Sequence, residues 1–348
     1  MVDFPSDVDV AVVAHNSRAR LPETLASLAD ASCPADRVTV VDIASADGTG
    51  DWLRRERPAV RVRRVDRNDG PNPGRNIGIR EATRPFVLLM DADVRIRPDT
   101  IERLRAAMVA DSTIKVGSPI VVHADHPEVI QYAGGAVHYI CEAVNPWRNR
   151  PLAERGPAPQ DIGAAPACAL LIDRQTAIDV GLFDERYFMG KEDGDFMHRV
   201  KMAGFKIWEV PQAIAVHDSR PRKSGLFYYQ IRNRWHFILK NYQLRTIVCL
   251  VPALVVYEPL QFLVLVAKGH AWTYVRAVGG LIAMLPTLAR DRALARRIRQ
   301  KPDRDLLVSQ PIVVGDALAS NFVVRAGKGL YERLLNAYWL FLVRGVRL

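Results

Sequence analysis

The chain up to Met90 alternates between short apolar runs rich in β-branched residues and segments of helical character, which restricts the fold strongly. Four runs read as buried strands, namely Val8–Ala14, Val38–Ile43, 60–65 and 86–90. The segments between them read as helices, at 22–29, 50–56 and 74–82. Strands that alternate with helices in this way predict βαβ units and therefore an α/β fold with a mostly parallel sheet.

The same pattern continues to residue 217 with one long interruption. Further strands are predicted at 116–122, 167–172, 206–210 and 213–217, and further helices at Thr100–Ala110, 174–180 and 193–203. The stretch 123–161 contains several prolines and glycines and is predicted to be an irregular loop. No internal repeat is visible in the chain.

Two acidic clusters follow apolar runs about a hundred residues apart. The fourth strand runs into Asp91-Ala92-Asp93, and a later segment runs into Glu192-Asp193-Gly194-Asp195. Carboxylates at the carboxyl edge of an open α/β sheet lie where such folds bind ligands. A pair of them can hold a divalent cation, which in turn can carry a diphosphate, and the second cluster can supply a base. A surface turn and a helix-start acidic cluster are the structural alternatives.

Other strand ends carry weaker signals. Asp42 ends the second strand, where a carboxylate can accept a hydrogen bond from a nucleobase or a ribose, although turn chemistry explains it as well. The motif Gly74-Arg75-Asn76-x-Gly78 is not the dinucleotide-binding fingerprint, but Arg75 at a helix start can serve a base or a phosphate. A lone histidine such as His217 is more often structural than a ligand.

The character of the chain changes after Tyr228. Residues 247–267 are almost wholly apolar and long enough to cross a bilayer, but Glu258 and two prolines interrupt them. A second apolar stretch at 275–288 is short for a span, 290–304 is strongly basic, and 334–343 is a last apolar helix. A re-entrant or interfacial helical pair on anionic lipid fits better than a single span. A buried helical subdomain of a soluble protein remains the alternative.

The net charge of +10 favours anionic partners, but no nucleic-acid-binding motif accompanies it, so nucleic acid is not expected as a partner. The four cysteines lie far apart and show no CxxC spacing, which supports neither a zinc site nor a disulfide framework and fits a reducing compartment. The N-terminus has neither a basic start nor an apolar core, so no secretory signal is expected.

Together these motifs resemble the family-2 glycosyltransferases, which are inverting enzymes with the GT-A fold, and most closely their bacterial rhamnosyltransferase-like branch. The resemblance covers roughly residues 8 to 240 and rests on Val12-Val13-Ala14-His15-Asn16, Val40-Val41-Asp42-x-x-Ser45-x-Asp47-Gly48, Gly74-Arg75-Asn76-x-Gly78, Leu88-Leu89-Met90-Asp91-x-Asp93, Gly181-x-Phe183-Asp184-Glu185, Glu192-Asp193-x-Asp195 and Pro211-x-Ala213-x-x-x-His217. It implies a GT-A catalytic domain at 1–240, a mostly parallel sheet flanked by helices, and leaves 241–348 as a membrane-associating helical region.

The resemblance also implies roles for residues on the donor side. It assigns the donor nucleotide to Ala14, Asn16, Asp42, Arg75 and Asp91. The metal ligands, for Mn²⁺ or Mg²⁺, would be Asp91, Asp93 and His217. Arg232 and Arg234 lie on a helix where they either contact the diphosphate or face solvent.

On the acceptor side, Asp193 matches the position of the catalytic base, with Glu192 and Asp195 beside it. Asp193 would take a proton from an acceptor hydroxyl while that oxygen attacks the anomeric carbon, which inverts the configuration. The implied partners are a UDP- or dTDP-sugar, a lipid-linked hydroxyl acceptor and the anionic cytoplasmic face of a bacterial membrane. His15 departs from the family, where an aromatic residue is common, and Gly194 departs after the base.

Three alternatives stay open. A glycosyltransferase that acts on a soluble small-molecule acceptor would have the same motifs. A sugar-phosphate nucleotidyltransferase would require a glycine-rich basic loop after the first strand, where Ala14-His15-Asn16-Ser17-Arg18 stands instead. A non-catalytic membrane adaptor with a transferase-like domain would have no need of the intact acidic residues.

Overall fold

The structure is a computed structural model that describes residues 4–219, 226–312 and 322–346. The expectation about a secretory signal rests in part on residues 1–3, which lie outside the described residues. The strands in the described part are β1 (Val8–Ala14), β2 (Val38–Ile43), β3 (Arg61–Val65), β4 (Phe86–Asp91), β5 (Val94–Ile96), β6 (Ile114–His123), β7 (Ile130–Tyr132), β8 (Ala136–Val137), β9 (Ala143–Val144), β10 (Gln160–Ile162), β11 (Ala169–Asp173) and β12 (Lys206–His217).

Helices flank these strands and dominate the C-terminal part of the chain. They are α1 (Leu21–Asp30), α2 (Thr49–Glu56), α3 (Asn72–Glu81), α4 (Thr100–Ala110), α5 (Arg174–Asp179), α6 (Glu192–Met202), α7 (Leu226–Asn241), α8 (Leu244–Ala267), α9 (Ala271–Met284), α10 (Leu288–Ile298) and α11 (Phe322–Gly345).

The main sheet is mixed and mostly parallel, as predicted. Its order is β10-β12-β6-β11-β4-β1-β2-β3, with β5 paired to β12 and β7 paired to β6. The strands β3, β2, β1 and β4 run parallel, and β6 runs parallel to β12. Between these two parallel blocks β11 is antiparallel to both of its neighbours. This arrangement brings the carboxyl ends of β1, β2 and β4 to one edge of the sheet.

The central strands are mostly apolar because helices cover both faces of the sheet. Every residue of β1 and β2 is buried. Alternate side chains of β1 enter different clusters, since Val10 and Val12 pack on one side and Ala11 on the other. The edge strand β3 carries arginines and is largely exposed, which discourages pairing with another chain.

Three predictions about elements need correction. The two strands predicted at 206–210 and 213–217 form the single strand β12, whose pairing with β6 is irregular between Val210 and Ile214. Pro211 lies at this irregularity, where a missing N–H is tolerated. The strand β5 was not predicted, and the loop predicted at 123–161 contains the short strands β7, β8, β9 and β10.

The C-terminal helices pack directly on the part of the chain that forms the main sheet. Helices α7 and α8 are joined by only two residues, and Arg234 of α7 forms a buried ion pair with Glu258 of α8. Tyr274 of α9 donates a hydrogen bond to the other oxygen of Glu258, 2.7 Å away. Glu258 therefore faces the protein. Its charge does not prevent the opposite face of α8 from contacting lipid. The predicted boundary at residue 240 stays a prediction, and buried contacts cross it.

Helix α8 is long and apolar enough to cross a membrane by length and composition, and 17% of its most apolar window is buried. Its buried residues, which include Leu250, Ala253 and Leu254, face the protein. Its exposed side consists of large apolar residues, and similar residues are exposed on α9 and α11: Leu244, Val248, Val251, Val255, Leu260, Leu263, Trp272, Val275, Ile282, Leu334 and Phe341. The C-terminal helices thus expose an extended apolar surface, of the kind that marks a protein or membrane contact.

Candidate active site

The acidic strand ends meet at one edge of the sheet. In the register of the parallel strands, Ala14 of β1 lies opposite Asp42 of β2, and Val13 of β1 lies opposite Asp91 of β4. The backbone N–H of Ala92 donates to the carbonyl of Val13, which ties the Asp91-Ala92-Asp93 turn to the end of β1. Residues predicted from three separate motifs therefore share one site.

The loops after β1 and β2 are joined by hydrogen bonds. The N–H of Asn16 donates to Ser45 Oγ at 2.9 Å, and Asn16 Oδ1 accepts from the N–H of Ala46 at 2.8 Å. The ring of His15 contacts the carbonyl of Ile43 through Nδ1 at 2.6 Å. His15 and Asn16 are exposed, so both can reach a ligand above the edge of the sheet, and the role of Asn16 stays a prediction.

The buried side chains at these strand ends require a correction. Asp42 is fully buried and accepts from the N–H of Ser45 at 3.1 Å and from Arg64 at 2.8 Å. It therefore holds the loop and Arg64 in place and offers no surface to a nucleoside, contrary to the prediction. The side chain of Ala14 is also fully buried, so only its backbone is left for the predicted contact.

Arg75 connects the two acidic clusters, a role that the sequence did not reveal. Its guanidinium donates to Asp193 Oδ1 at 3.0 Å and to the Asp91 carboxylate at 3.3 Å. Burial alone lowers the pKa of Arg75, but the charges of Asp91, Asp193 and Glu192 outweigh burial and leave that pKa raised. Arg75 thus lies between the two carboxylates, and its role at the nucleotide stays a prediction. The two carboxylates keep 27% and 28% of their side-chain surface exposed, so a ligand can reach them.

Asp93 lies with His217 at the end of β12. The Nε2 atom of His217 is 3.7 Å from Asp93 Oδ1, and its Nδ1 atom is 2.7 Å from Gln131 Oε1. The pairing with Gln131 orients the imidazole so that Nε2 points at Asp93. Gln131 lies in the stretch predicted to be an irregular loop, and nothing in its local sequence marks it.

The chemistry of this pair fits a divalent cation. Burial and the neighbouring charge of Asp91 raise the pKa of Asp93, while His217 opposes that rise. Two crowded carboxylates and an imidazole are ligands for a cation such as Mn²⁺. Within the described residues no group of three or more His, Cys, Asp or Glu side chains could hold a metal ion by itself. The remaining ligands would have to come from the donor diphosphate and water.

Helix α3 positions the helix that carries Asp193. Asn76 exchanges two hydrogen bonds with the backbone of Phe183, both at 2.9 Å, and Asn72 donates to the carbonyl of Tyr187 at 2.8 Å. These bonds fix the segment that leads into α6. The asparagine of the Gly74-Arg75-Asn76 motif is therefore a structural anchor, and the arginine beside it points into the site.

The residues around Asp193 divide into two groups. Glu192 is the first residue of α6 and is buried, and its charge helps to raise the pKa of Arg75. Its acceptor-side role stays a prediction. Asp195 is fully buried and pairs with Arg199 at 2.8 Å and with Lys240 at 3.0 Å. The acceptor-side role predicted for Asp195 is therefore wrong, and the i, i+4 spacing to Arg199 was the signal for an internal pair.

The predicted diphosphate contacts of α7 also need correction. Arg234 is fully buried, where it pairs with Glu258 and lies 3.6 Å from Glu142. It has no surface to offer a donor, because it anchors α8. Arg232 donates to the carbonyl of Arg186 at 2.6 Å and stays half-buried, so its contact with the diphosphate remains a prediction.

Comparison with known proteins bears on the family and the fold. The description "Glycosyl transferase family 2" belongs to a family model that matches residues 9–171. The fold also matches that of the first 349 residues of S. aureus TarS, solved with UDP-GlcNAc, with a TM-score of 0.54 and 17% sequence identity. The match covers 97% of this chain and 92% of the other.

Two curated relatives are bacterial. The N-acetylglucosaminyl-diphospho-decaprenol L-rhamnosyltransferase of Mycobacterium tuberculosis is 28% identical over 60% of this chain and 75% of its own length. The succinoglycan biosynthesis protein ExoO of Rhizobium meliloti is 33% identical over 36% of each chain, so the match spans about a third of that relative.

The fold is therefore that of the GT-A transferases. Residues 9–171 match a glycosyltransferase family 2 domain, so this part of the chain is of the glycosyltransferase class.

Proposed function

We propose that the chain transfers a sugar from a UDP- or dTDP-sugar to a hydroxyl of a lipid-linked saccharide, with inversion and with a divalent cation. The observation that carries this proposal is the placement of Asp193 and Asp91 on the same buried guanidinium. A base and a donor-side carboxylate must lie close together if one displacement is to join acceptor and donor. The relative named as a rhamnosyltransferase of a diphospho-decaprenol sugar supports the acceptor class.

The residues of the chain would act as follows. Arg75 fixes Oδ1 of Asp193 and so holds this carboxylate beside Asp91. Asp193 takes the proton of the acceptor hydroxyl as that oxygen attacks the anomeric carbon from the face opposite the leaving group. Asp93 and His217 would hold the cation, and the chemistry that it would supply is neutralisation of negative charge on the leaving nucleoside diphosphate.

The C-terminal helices suit an acceptor that resides in a membrane. One side of α8 is fixed to the catalytic part by Glu258 and Arg234, which keeps the helix along the surface of the protein. Its other side exposes apolar residues that can enter the lipid interface. The proposed location is the cytoplasmic face of a bacterial membrane, where nucleotide sugars are supplied, in a pathway of cell-surface polysaccharide synthesis.

A donor screen followed by a transfer assay tests the proposal. Purified full-length protein is screened by thermal shift with manganese over UDP-, dTDP- and GDP-sugars, because a ligand that binds the native state raises its stability. The donor that binds is then offered to a polyprenyl-diphospho-sugar and to a soluble sugar acceptor. Transfer only to the lipid-linked acceptor supports the proposal, and transfer to the soluble one alone assigns the alternative. Donor binding without any transfer would leave a non-catalytic adaptor.

Metal dependence is tested with a matched pair of variants. Asp93→Ala should remove most transfer and weaken donor binding only when manganese is present. Asp99→Ala removes an exposed carboxylate whose partner is Arg103, and it should leave both readings unchanged. Full transfer in EDTA by the unmodified protein would contradict the metal mechanism.

A further inference from the structure

A cationic cavity lies where α7, α8 and α10 meet. It has a volume of about 210 Å³, which is below the roughly 300–1,000 Å³ of pockets for drug-sized ligands. Four cationic residues line it, and no acidic residue is among its described lining residues: Lys240, Arg292, Arg296 and Arg299. A small anionic group is the ligand that this cavity fits by size and charge.

Two of the four cations form no ion pair among the described residues. Lys240 pairs with Asp184 and Asp195, and Arg299 pairs with Asp303 at 2.7 Å. Arg292 donates only to the carbonyl of Leu239, and Arg296 is exposed, with no ion pair for either of them among the described residues.

The two arginines repel each other. Arg292 and Arg296 are four residues apart on α10, and like charges at that spacing destabilise a helix. Burial, with the charges of Arg296 and Arg299, lowers the pKa of Arg292, and the charge of Asp303 opposes this lowering only in part. An anion in the cavity would relieve this repulsion.

The cavity opens on the apolar surface of α8. Leu244 lines the cavity and is the first residue of α8, and it is 68% exposed. The exposed side of the helix continues from it through Val248, Val251 and Val255. The amino end of α8 adds a partial positive charge beside the cavity. A ligand with a charged group in the cavity and an apolar tail along α8 would match both features.

The cavity is separated from the reacting centre by α6. Asp193 faces Arg75, whereas Asp195 faces Lys240 and Asn241, which line the cavity. Residues two apart on an α-helix point about 200° apart around its axis. A group bound in the cavity therefore lies on the far side of α6 from the base, so it is not the acceptor in the act of transfer.

We propose that this cavity binds the phosphate headgroup of an anionic bilayer lipid, whose acyl chains lie along the exposed side of α8. The inference rests on the proposed membrane association for its partner, but on residues outside the transferase site. It assigns a discrete lipid site to α10, in addition to the diffuse attraction of a basic surface. One headgroup in this place would hold the catalytic part at a fixed orientation to the membrane.

The test compares two neighbouring arginines of α10. Arg296 lines the cavity and Arg297 does not, although both are exposed and removing either deletes one positive charge. Full-length protein is titrated with vesicles of phosphatidylcholine, with and without phosphatidylglycerol, and by calorimetry with soluble dihexanoyl-phosphatidylglycerol. Arg296→Ala should weaken phosphatidylglycerol binding about ten-fold or more. Arg297→Ala should weaken it at most about five-fold, the loss expected for one charge near an anionic surface.

Several results would overturn the proposal. Equal losses in the two variants would show diffuse attraction only, and equal binding to both vesicle types would exclude a headgroup site. Binding of inorganic phosphate without binding of dihexanoyl-phosphatidylglycerol would assign the cavity to free phosphate. Arg296→Lys keeps the charge and should restore most of the binding, which separates loss of the site from misfolding. The lipid-binding assay contains no donor sugar, so a negative result in it leaves the transferase proposal intact. A negative transfer assay likewise leaves the lipid site untouched.

Discussion

Replacing Arg75 by methionine tests the arrangement of the site most severely. The guanidinium is almost fully buried and makes charged contacts of 3.0 Å with Asp193 and 3.3 Å with Asp91. Hydrogen bonds to charged groups contribute about 1.5–3 kcal/mol each, so two contacts amount to about 3–6 kcal/mol. Because both carboxylates are more than a quarter exposed, water can replace part of what they lose. We therefore expect a loss of about 3 kcal/mol in the free energy of unfolding.

The effect on transfer should exceed the effect on donor binding. Without Arg75 the carboxylate of Asp193 is no longer fixed toward the acceptor, and we expect kcat to fall about a hundred-fold or more, which corresponds to roughly 2.7 kcal/mol. Arg75→Lys keeps the charge and should recover part of kcat, although it cannot contact both carboxylates in the same geometry. The assays are urea unfolding and steady-state transfer with a saturating donor.

Arg80→Met is the matched control for this prediction. Arg80 lies on the same helix, and its replacement removes the same charge. Its side chain is exposed, however, and its ion-pair partner Glu185 is 3.7 Å away. A surface substitution of this kind changes stability by about 0.5 kcal/mol or less. If Arg75→Met matched Arg80→Met in both stability and kcat, the account of the buried bridge would be refuted.

Three further predictions concern the fold. Gly78→Ala should destabilise the protein by about 1–3 kcal/mol in urea unfolding, because the new β-carbon would lie 2.4 Å from a methyl group on β1, and an unchanged midpoint would contradict this. Glu258→Gln should cost about 3 kcal/mol, since it leaves the buried Arg234 without its nearest charge partner, and a stable variant would show that α8 is held otherwise. Burial lowers the pKa of His198 to about 4, so the unfolded state takes up a proton at a higher pH than the folded state does. The free energy of unfolding should therefore fall by about 3 kcal/mol as the pH drops from 6.5 to 4. His198→Phe should make the free energy of unfolding depend less on pH in this range, and an unchanged dependence would contradict the prediction.

Local patterns were sufficient to predict the first four strands and the helices between them. Strands such as β1 and β2 are buried on both faces, so their apolar runs show them directly in the sequence. The three-residue strand β5 is too short to show a period. The stretch 123–161 forms its short strands through contacts with distant parts of the chain, as when β7 pairs with β6.

The sequence indicated which residue types gather at the site, but not which side chains each of them contacts. The acidic residues at strand ends lie where the parallel sheet places them, because strand direction alone fixes that edge. Which of them faces a ligand depends on long-range pairs that the local sequence does not contain. Asp42 is covered by Arg64, Arg234 by Glu258, and Asp195 by Lys240, and each of these partners is more than twenty residues away.

The measurement that bears most directly on the central claim is transfer by Asp193→Asn beside Glu192→Gln, with donor affinity measured in parallel. The amide keeps the shape of the side chain and cannot take a proton, so Asp193→Asn should bind the donor as the unmodified protein does and transfer no sugar above background. Glu192→Gln should retain transfer, because Glu192 is buried and the base assigned here is its neighbour Asp193. Full transfer by Asp193→Asn, with loss of transfer in Glu192→Gln, would contradict the assignment of Asp193 as the base.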